Sequence, residues 1–478
     1  MTQEKTRKLK KESSLISQVT KTRLNELFTE IRNSEGLASR KTALKLIGAV
    51  IHQRLSFHKC LIATYSQETT NRLTLEDTKD RKFVRLLATT TLRRHGQLTA
   101  VVSKYLHKPL PDSGRYAQLI LLLGTAQLLF LGIAPHAVIN TSVNLCRMQR
   151  SSKRFSKLIN AVLRRISEQD PSLLLTNTED NLNIPKWMLK RWINTYNETT
   201  TRAIVTASLK EAALDITVLG EPKDWASKMH GTVLPTGSVR CRLGGPVNEL
   251  PGFINGKWWV QDAAAAIPAR LLGKIAGKRV ADICAAPGGK TAQLISAKAH
   301  VTALDISETR LLSVKKNLER LRLSACSYIV GDASKWCTEI QFDAILVDVP
   351  CSATGTIRRH PDILHTKRLV DIYKLSQLQK AILQNVALNL LRPNGILVYC
   401  TCSLEPEESE EQISTFLKSH NNFERVPIRA DEINGLSEIL TQVGEIRTLP
   451  HHLQLDDPTL SGLDGFFVSR LRRRAFTN

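Results

Sequence analysis

Three short stretches of this 478-residue chain carry side chains able to do chemistry. Asp282-Ile283-Cys284-Ala285-Ala286-Pro287-Gly288-Gly289-Lys290 reads as a glycine-rich turn from a strand into a helix. Pro350-Cys351 and Thr401-Cys402 each place a cysteine just past an apolar run. Glycines let backbone approach a ligand closely, and the N–H groups of a following helix can hold an anionic group. That turn suits a nucleotide-like cofactor. The cysteines suit a thiolate nucleophile. Cytosine C5 is a poor nucleophile until a thiolate adds at C6; C5 can then attack an electrophilic methyl group, a base removes the C5 proton, and the thiolate leaves. Turn and thiols together point to methyl transfer onto a pyrimidine base.

Such groups need a frame that brings them together. From Pro251 onward the sequence alternates between strand and helix. Apolar runs at 280–283, 301–304, 328–330, 344–347 and 396–399 are separated by helical segments such as 308–322 and 373–391. Near-continuous apolar strands joined by helices imply a parallel sheet covered on both faces, with ligands at the carboxyl ends of the strands. The acids fall at those ends. Asp282 lies in the first strand, and Asp305 closes the second, placed to take both hydroxyls of a ribose. Asp332 ends the third, where it can accept from an adenine amino group, and Asp348 ends the fourth, three residues before Cys351. The turn is not G-x-G-x-x-G, which disfavours a dinucleotide. An ordinary thiol, with pKa about 8.5, is mostly protonated at neutral pH, so the site must assist it. Lys290, the helix N-terminus, Arg358 and Arg359 are the candidates. Cys60, Cys146, Cys326, Cys337 and Cys400 read as small buried apolar residues.

The rest of the chain is of two further kinds. Residues 1–16 form a basic tail expected to be flexible, and 17–168 read as an all-α domain. Leu44, Ile47, Ile51 and Leu55 recur at helical spacing, as do Phe83, Leu86 and Leu87. The leucine-rich stretch 117–134 is interrupted by Gln118, Thr125 and Gln127, so a buried core helix is expected rather than a membrane span. Basic residues cluster at Arg81, Lys82, Arg85, Arg93 and Arg94, and again at Arg147, Arg150, Lys153, Arg154, Lys157, Arg164 and Arg165. With a net charge of +23, contact with nucleic acid is expected. Residues 170–180 read as a polar linker, 181–250 as a small α+β module in whose core Trp187 and Trp192 pack, and 251–478 as the α/β domain. Nine cysteines without C-x-x-C spacing suggest neither a zinc site nor a disulfide framework. The charged N-terminus carries no apolar signal segment, which suits a reducing cytosol.

The motifs D-x-C-A-A-P-G-G-K, D-x-P-C-S-x-x-G and T-C-S resemble those of the RNA cytosine-5 methyltransferases. The resemblance implies that Cys402 is the nucleophile and Cys351 assists release of the methylated product. It implies that Asp348 contacts the base beside Lys290, and that Cys284, Ala285, Ala286, Pro287, Gly288, Gly289, Lys290, Asp305, Asp332 and Asp348 hold S-adenosyl-L-methionine. Upstream, PHAVINTSVNLCR and LINAVLRRI are similar to a NusB-like RNA-binding domain, and LPGFINGKWWVQDAAAA to the lead-in of the bacterial methyltransferase domain. The implied architecture is a NusB-like all-α domain, a small α+β module and a Rossmann-like S-adenosylmethionine-dependent methyltransferase domain. The implied partner is 16S ribosomal RNA, with no membrane and no metal ion, and the protein is expected to be a cytoplasmic monomer. Two positions depart from the family: Val349 replaces the proline of D-P-P-C, and Glu407-Glu408-Ser409-Glu410 stands where E-E-N-E is usual. Two other readings remain. One moves the target to transfer RNA or 23S rRNA; the other is a non-catalytic RNA-binding ribosome-assembly factor, which should have lost a reactive group.

Overall fold

A computed structural model of the chain describes residues 36–68, 78–176, 178–242, 245–324 and 326–475. The basic tail at 1–16 lies outside these residues. Two compact units result: the N-terminal stretch to Pro185 together with His360–Thr366, and Lys186–Arg359 together with Lys367 onward.

The first unit is helical, with helices Gly36–Gln53, Phe57–Glu68, Thr78–Arg93, His95–Lys104, Arg115–Leu129, Pro135–Met148 and Ser156–Ser167. Its core takes Leu44, Ile47, Phe83 and Leu87, as the spacing predicts, but Leu55 lies past the end of its helix and is 47% exposed. The leucine-rich helix Arg115–Leu129 is buried on nearly every residue. Of its polar interruptions Gln118 is exposed, Gln127 accepts at Oε1 from Nε of buried Arg40 (2.7 Å), and the buried Thr125 hydroxyl has no partner among the described residues. Among the described residues no helix is long and apolar enough to cross a membrane.

Two expectations change here. The polar segment after Asp170 is not a free linker. It forms a helix at Pro171–Thr176, and Asn183 exchanges hydrogen bonds with Gln97 (Gln97 N to Oδ1, 3.0 Å; Nδ2 to Gln97 Oε1, 2.8 Å). The segment His360–Thr366 belongs to this helical unit rather than to a continuous domain 251–478: Phe57 N donates to Asp362 (3.0 Å), and His365 Nε2 bonds Leu92 O (2.8 Å). The basic clusters also divide. Arg147, Arg150, Lys153, Arg154, Lys157, Arg164 and Arg165 are all exposed, whereas Arg93 is buried and Arg94 pairs with Asp180 at 3.2 Å.

The second unit opens with helical residues Lys186–Ser208, interrupted where Asn197 adopts φ 65°. A four-stranded antiparallel sheet follows, ordered β2 (Thr232–Val233), β3 (Val239–Cys241), β1 (Leu214–Val218), β4 (Trp258–Val260). The boundary expected at 250/251 therefore cuts through this module, because β4 pairs with β1. A buried bidentate pair, Arg240 with Asp215 (2.7 Å for each bond), staples β3 to β1.

The large sheet runs β10 (Phe423–Arg425), β12 (Phe466–Arg473), β9 (Leu391–Thr401), β8 (Phe342–Asp348), β5 (Arg279–Ile283), β6 (His300–Asp305), β7 (Cys326–Val330), with β11 (Ile446–Thr448) against β12. Strands β5 to β9 are parallel, as the apolar runs predict. The sheet as a whole is mixed, because β12 inserts antiparallel beside β9. This long-range antiparallel pairing is hard to read where Arg470, Arg472 and Arg473 interrupt the apolar pattern.

Candidate active site

The parallel ladder decides which loops meet. Strands β8 and β9 are neighbours in register, with Asp348 opposite Cys400. Their following loops leave the sheet side by side, so Cys351 and Cys402, 51 residues apart, come within 3.4 Å, Sγ to Sγ. Asp348 lies at the same edge. Its Oδ2 accepts from Lys290 Nζ at 2.7 Å, and its Oδ1 is 3.6 Å from Cys400 Sγ. Lys290 also stands over the Phe466 ring, 5.1 Å from its centre, so the unexpected strand β12 walls the site. Burial opposes a charge on Lys290, yet Asp348 foremost, with Cys400 and Asp282, holds its pKa above the ordinary value.

The glycine turn is braced from beneath. Asp282 Oδ2, fully buried, accepts from Thr291 Oγ1 at 2.6 Å, tying β5 to the helix Gly289–Ser296. Gly288 has φ +99°, and a Cβ there would lie 2.9 Å from Val314 Cγ1, so this position demands glycine. Cys284 (φ 62°) starts the turn, and burial first, then Asp348 and Asp305, pushes its thiol up to about 12. It is part of the turn and not a thiolate.

The acids at the strand ends differ in how they are used. Asp305 is 1% exposed; its Oδ1 accepts from Ser307 N (3.1 Å), and its Oδ2 takes Ala286 N (3.3 Å) and Arg310 (3.3 Å). It binds the turn itself, so a ribose there would have to share its lone pairs. Asp332 lies two residues beyond β7 rather than ending it, and its Oδ1 is held by Ser334 (2.9 and 2.7 Å). Ile306, next to Asp305, is 69% exposed, an apolar surface of the kind a planar base covers. Turn, acids and apolar surface together fit a nucleoside-bearing group. Among the described residues no group of His, Cys, Asp and Glu could hold a metal ion.

Residues 269–472 match the profile of the 16S rRNA methyltransferase RsmB/F family, and 37–168 that of the NusB family. Ribosomal RNA small subunit methyltransferase B of Serratia proteamaculans is 37% identical over 399 residues, 80% of this chain and 90% of that one. The chain belongs to the RsmB/F methyltransferase family. Among solved structures, a methyltransferase homolog from Pyrococcus horikoshii aligns with a TM-score of 0.50 at 25% identity, covering 64% of this chain and 100% of that one. NSun6 from the same organism, solved with SFG, shares the fold at 19% identity and TM-score 0.50, over 61% and 99% of the two chains.

This RsmB/F enzyme does not lower the thiol at which chemistry is expected. The hydrogen bond with Cys351 first, then burial and Asp348, raises the Cys402 pKa well above the ordinary thiol value, and Lys290 only partly offsets this. The two arginines expected to help are hydrogen-bonded to other groups, although Arg359 retains an electrostatic interaction with Cys402. Arg358 is buried and donates to Ser461 O (3.0 Å), while Arg359 Nε bonds the buried Asp464 (2.7 Å). Of the cysteines read as buried, Cys337 is exposed and Cys60 and Cys326 are half-buried.

The residues behind T-C-S were not found from sequence. Glu405, fully buried, accepts from Arg191 Nε (2.7 Å) and Trp192 Nε1 (3.0 Å), and Tyr196 OH donates to Leu404 O (2.6 Å). Trp192 is thus buried, as expected, but its polar edge serves the segment after Cys402. Arg447 holds the same segment through Ser403 O (2.6 Å) and Glu410 (2.7 Å). The two departures from the family are accommodated. Val349 is buried and donates its N–H to Cys400 O (3.2 Å). Ser409 precedes the helix Glu410–Ser419 without a side-chain cap, its hydroxyl having no partner among the described residues.

Proposed function

We propose that this chain transfers a methyl group from S-adenosyl-L-methionine to C5 of one cytosine in 16S rRNA, through a covalent bond between Cys402 and C6. The observation that carries this reading is the 3.4 Å pair of thiols beside Asp348 and Lys290. A lone reactive cysteine serves many reactions. A second thiol at the same base gives a group for release once the first has added.

When bound, S-adenosylmethionine supplies the electrophilic methyl; Cys284 to Lys290, Asp305, Asp332 and Asp348 would hold it. The Cys351 hydrogen bond and burial raise the Cys402 pKa, so its proton is given up as sulfur adds to C6, and the neighbouring Asp348 carboxylate accepts it. Lys290 holds Asp348 against the base, and the carboxyl passes the proton taken from Cys402 on to N3, where negative charge would otherwise develop. After methyl transfer the C5 proton must leave before the C6–S bond breaks, and Cys351 assists that elimination. The NSun6 structure with SFG, an S-adenosylmethionine analogue, supports the choice of cofactor, and the small-subunit specificity named for the Serratia relative supports 16S rRNA as the target.

The exposed basic residues between Arg147 and Arg165 offer phosphate contacts with no acid between them. RNA affinity should fall steeply with salt, and replacing Arg164 and Arg165 by alanine should lower the slope of log K against log salt by about 1–2. A slope unchanged by the double variant would remove this surface from the interface. We place the enzyme in the cytoplasm as a monomer.

The deciding experiment combines bisulfite mapping of ribosomal and transfer RNA with denaturing gels. Cys402→Ala should lose both methylation and any RNA adduct; turnover above a few per cent would overturn its role. Cys351→Ala should accumulate the adduct, and its absence would remove Cys351 from release. A mark on 23S rRNA or transfer RNA would retain the chemistry and move the target. A protein with no methylation in any pool would be an assembly factor.

A further inference from the structure

We propose that Glu408 is a positioning residue that sets the separation of the two thiols; this rests on the reading of Cys402 as nucleophile and Cys351 as release group. Each cysteine is followed by a serine, Ser352 and Ser403, and both serines are fully buried. Both hydroxyls donate to the same oxygen of one carboxylate, Glu408 Oε2. The other oxygen, Oε1, accepts from Ser352 N at 2.9 Å and from Gln379 Nε2 at 3.0 Å. The two serine oxygens are 3.0 Å apart, so the carboxylate closes a ring that spans the loops after β8 and β9.

Glu408 is itself fully buried, and among the described residues no Lys or Arg pairs with it. A buried carboxylate without a cation is tolerated only where hydrogen bonds satisfy it. Here it has four donors. Its own backbone is fixed by Tyr399 OH, which donates to Glu408 O at 2.8 Å, so the anchor is tied to β9 rather than to a mobile loop. A carboxylate accepts and never donates when ionised. It therefore forces both hydroxyls, and with them the backbone of both cysteine loops, towards one point. An amide of the same shape offers one accepting oxygen and turns two N–H bonds on partners that are themselves donors.

A second contact alone would not hold the geometry. Gly355 N donates to Cys402 O (2.9 Å), and Leu404 N donates to Thr354 Oγ1 (2.9 Å), but both bonds act beyond Cys351; on its other side Gln379 Nε2, itself bonded to Glu408, donates to Pro350 O (2.9 Å). Among the described residues, the residues immediately after the two thiols are joined by the Glu408 carboxylate and by the 3.0 Å contact of their own hydroxyls, which that carboxylate draws together.

The test is Glu408→Gln in the full chain, read in two ways. The first needs no RNA. Diamide takes two electrons and two protons from a pair of thiols, leaving a disulfide and the hydrazine, so the rate of the Cys351–Cys402 cross-link reports how often the sulfurs meet. Peptide mass spectrometry should show it about tenfold or more slower in the variant at unchanged fold. The second is kinetic: kcat should fall on the order of 10²-fold, as for a misplacement of about 1 Å, with KM for RNA and for S-adenosylmethionine unchanged. Cross-linking at the wild-type rate would overturn the proposal. So would a uniform rise in KM with kcat retained. If Glu408→Gln fails to fold, Ser403→Ala removes one donor and should slow cross-linking in the same direction; no slowing overturns the proposal equally. Slowed cross-linking in Glu408→Gln, together with full methylation by Cys402→Ala, would leave the positioning intact and sink the catalytic reading.

Discussion

The glycine turn and the cysteine loops lie at the same edge of one sheet, yet they are held in opposite ways. The turn is built from near neighbours. Thr291 reaches Asp282 nine residues back, Ser307 caps Asp305 two residues back, and the backbone itself supplies the special conformation at Gly288. The cysteine loops depend on groups far away in the chain. Glu405 is fixed by Arg191 and Trp192, more than 200 residues upstream, and Ser352 reaches Glu408 across 56. A cofactor pocket of this kind can be made by a local motif. A pair of reactive thiols needs the whole domain to define their distance.

Breaking the long-range support should cost most. Arg191→Ala leaves Glu405 as a fully buried carboxylate without its cation, and burial already raises the Glu405 pKa against the pull of Arg191. Removing one partner of such a pair costs about 3–5 kcal/mol, and the lower end applies because Arg191 is a quarter exposed. Urea unfolding should show that loss, and Arg191→Met should lose as much, because charge and not volume is missing. A loss below about 1 kcal/mol would mean that Glu405 finds other compensation.

The turn should fail more gently. Gly288→Ala forces an L-residue into left-handed backbone and drives a Cβ against Val314, at roughly 1–3 kcal/mol. The loss should appear as weaker cofactor affinity with normal Cys351–Cys402 cross-linking. If cross-linking slows too, the two regions are not independent. The converse asymmetry is expected of Arg191→Ala, in which cross-linking suffers first.

The smallest effect belongs to Asp282. Burial raises its pKa to about 7 from an ordinary 3.8, with Thr291 and Lys290 pulling the other way. Between those values the folded chain keeps a proton that the unfolded chain has lost, so stability falls as pH rises from about 4 to about 7 and levels off above. Asp282→Asn cannot ionise. Its stability relative to the parent should therefore improve by ~1 kcal/mol or more between pH 5 and pH 8, measured by urea midpoints. An unchanged difference would mean that Asp282 is ionised throughout.

The same contrast explains what could be read in advance. Strands β5, β6, β8 and β9 are apolar runs whose partners follow from the rule for parallel sheets, so their ends, and Asp282, Asp305, Asp348, Cys351 and Cys402 on them, were legible. Strand β12 was not, because its arginines hide the alternation and its place beside β9 is a matter of long-range pairing. The extent of the small sheet is hidden for the same reason: β4 joins β1 through pairs such as Thr217 and Trp259, which are far apart in the chain.

The sequence alone determined the chemistry on offer: a turn that only glycine permits, acids at strand ends and two cysteines in the loops that follow. These are local properties, set by residue type and the period of the strands. Tertiary structure decided the rest. It placed the thiols 3.4 Å apart, spent Arg358 and Arg359 on buried partners, raised the Cys402 thiol, and made one buried carboxylate the tie between the loops. A pKa, a distance between loops and the partner of a buried charge all depend on which distant groups pack together, and spacing along the chain does not encode that.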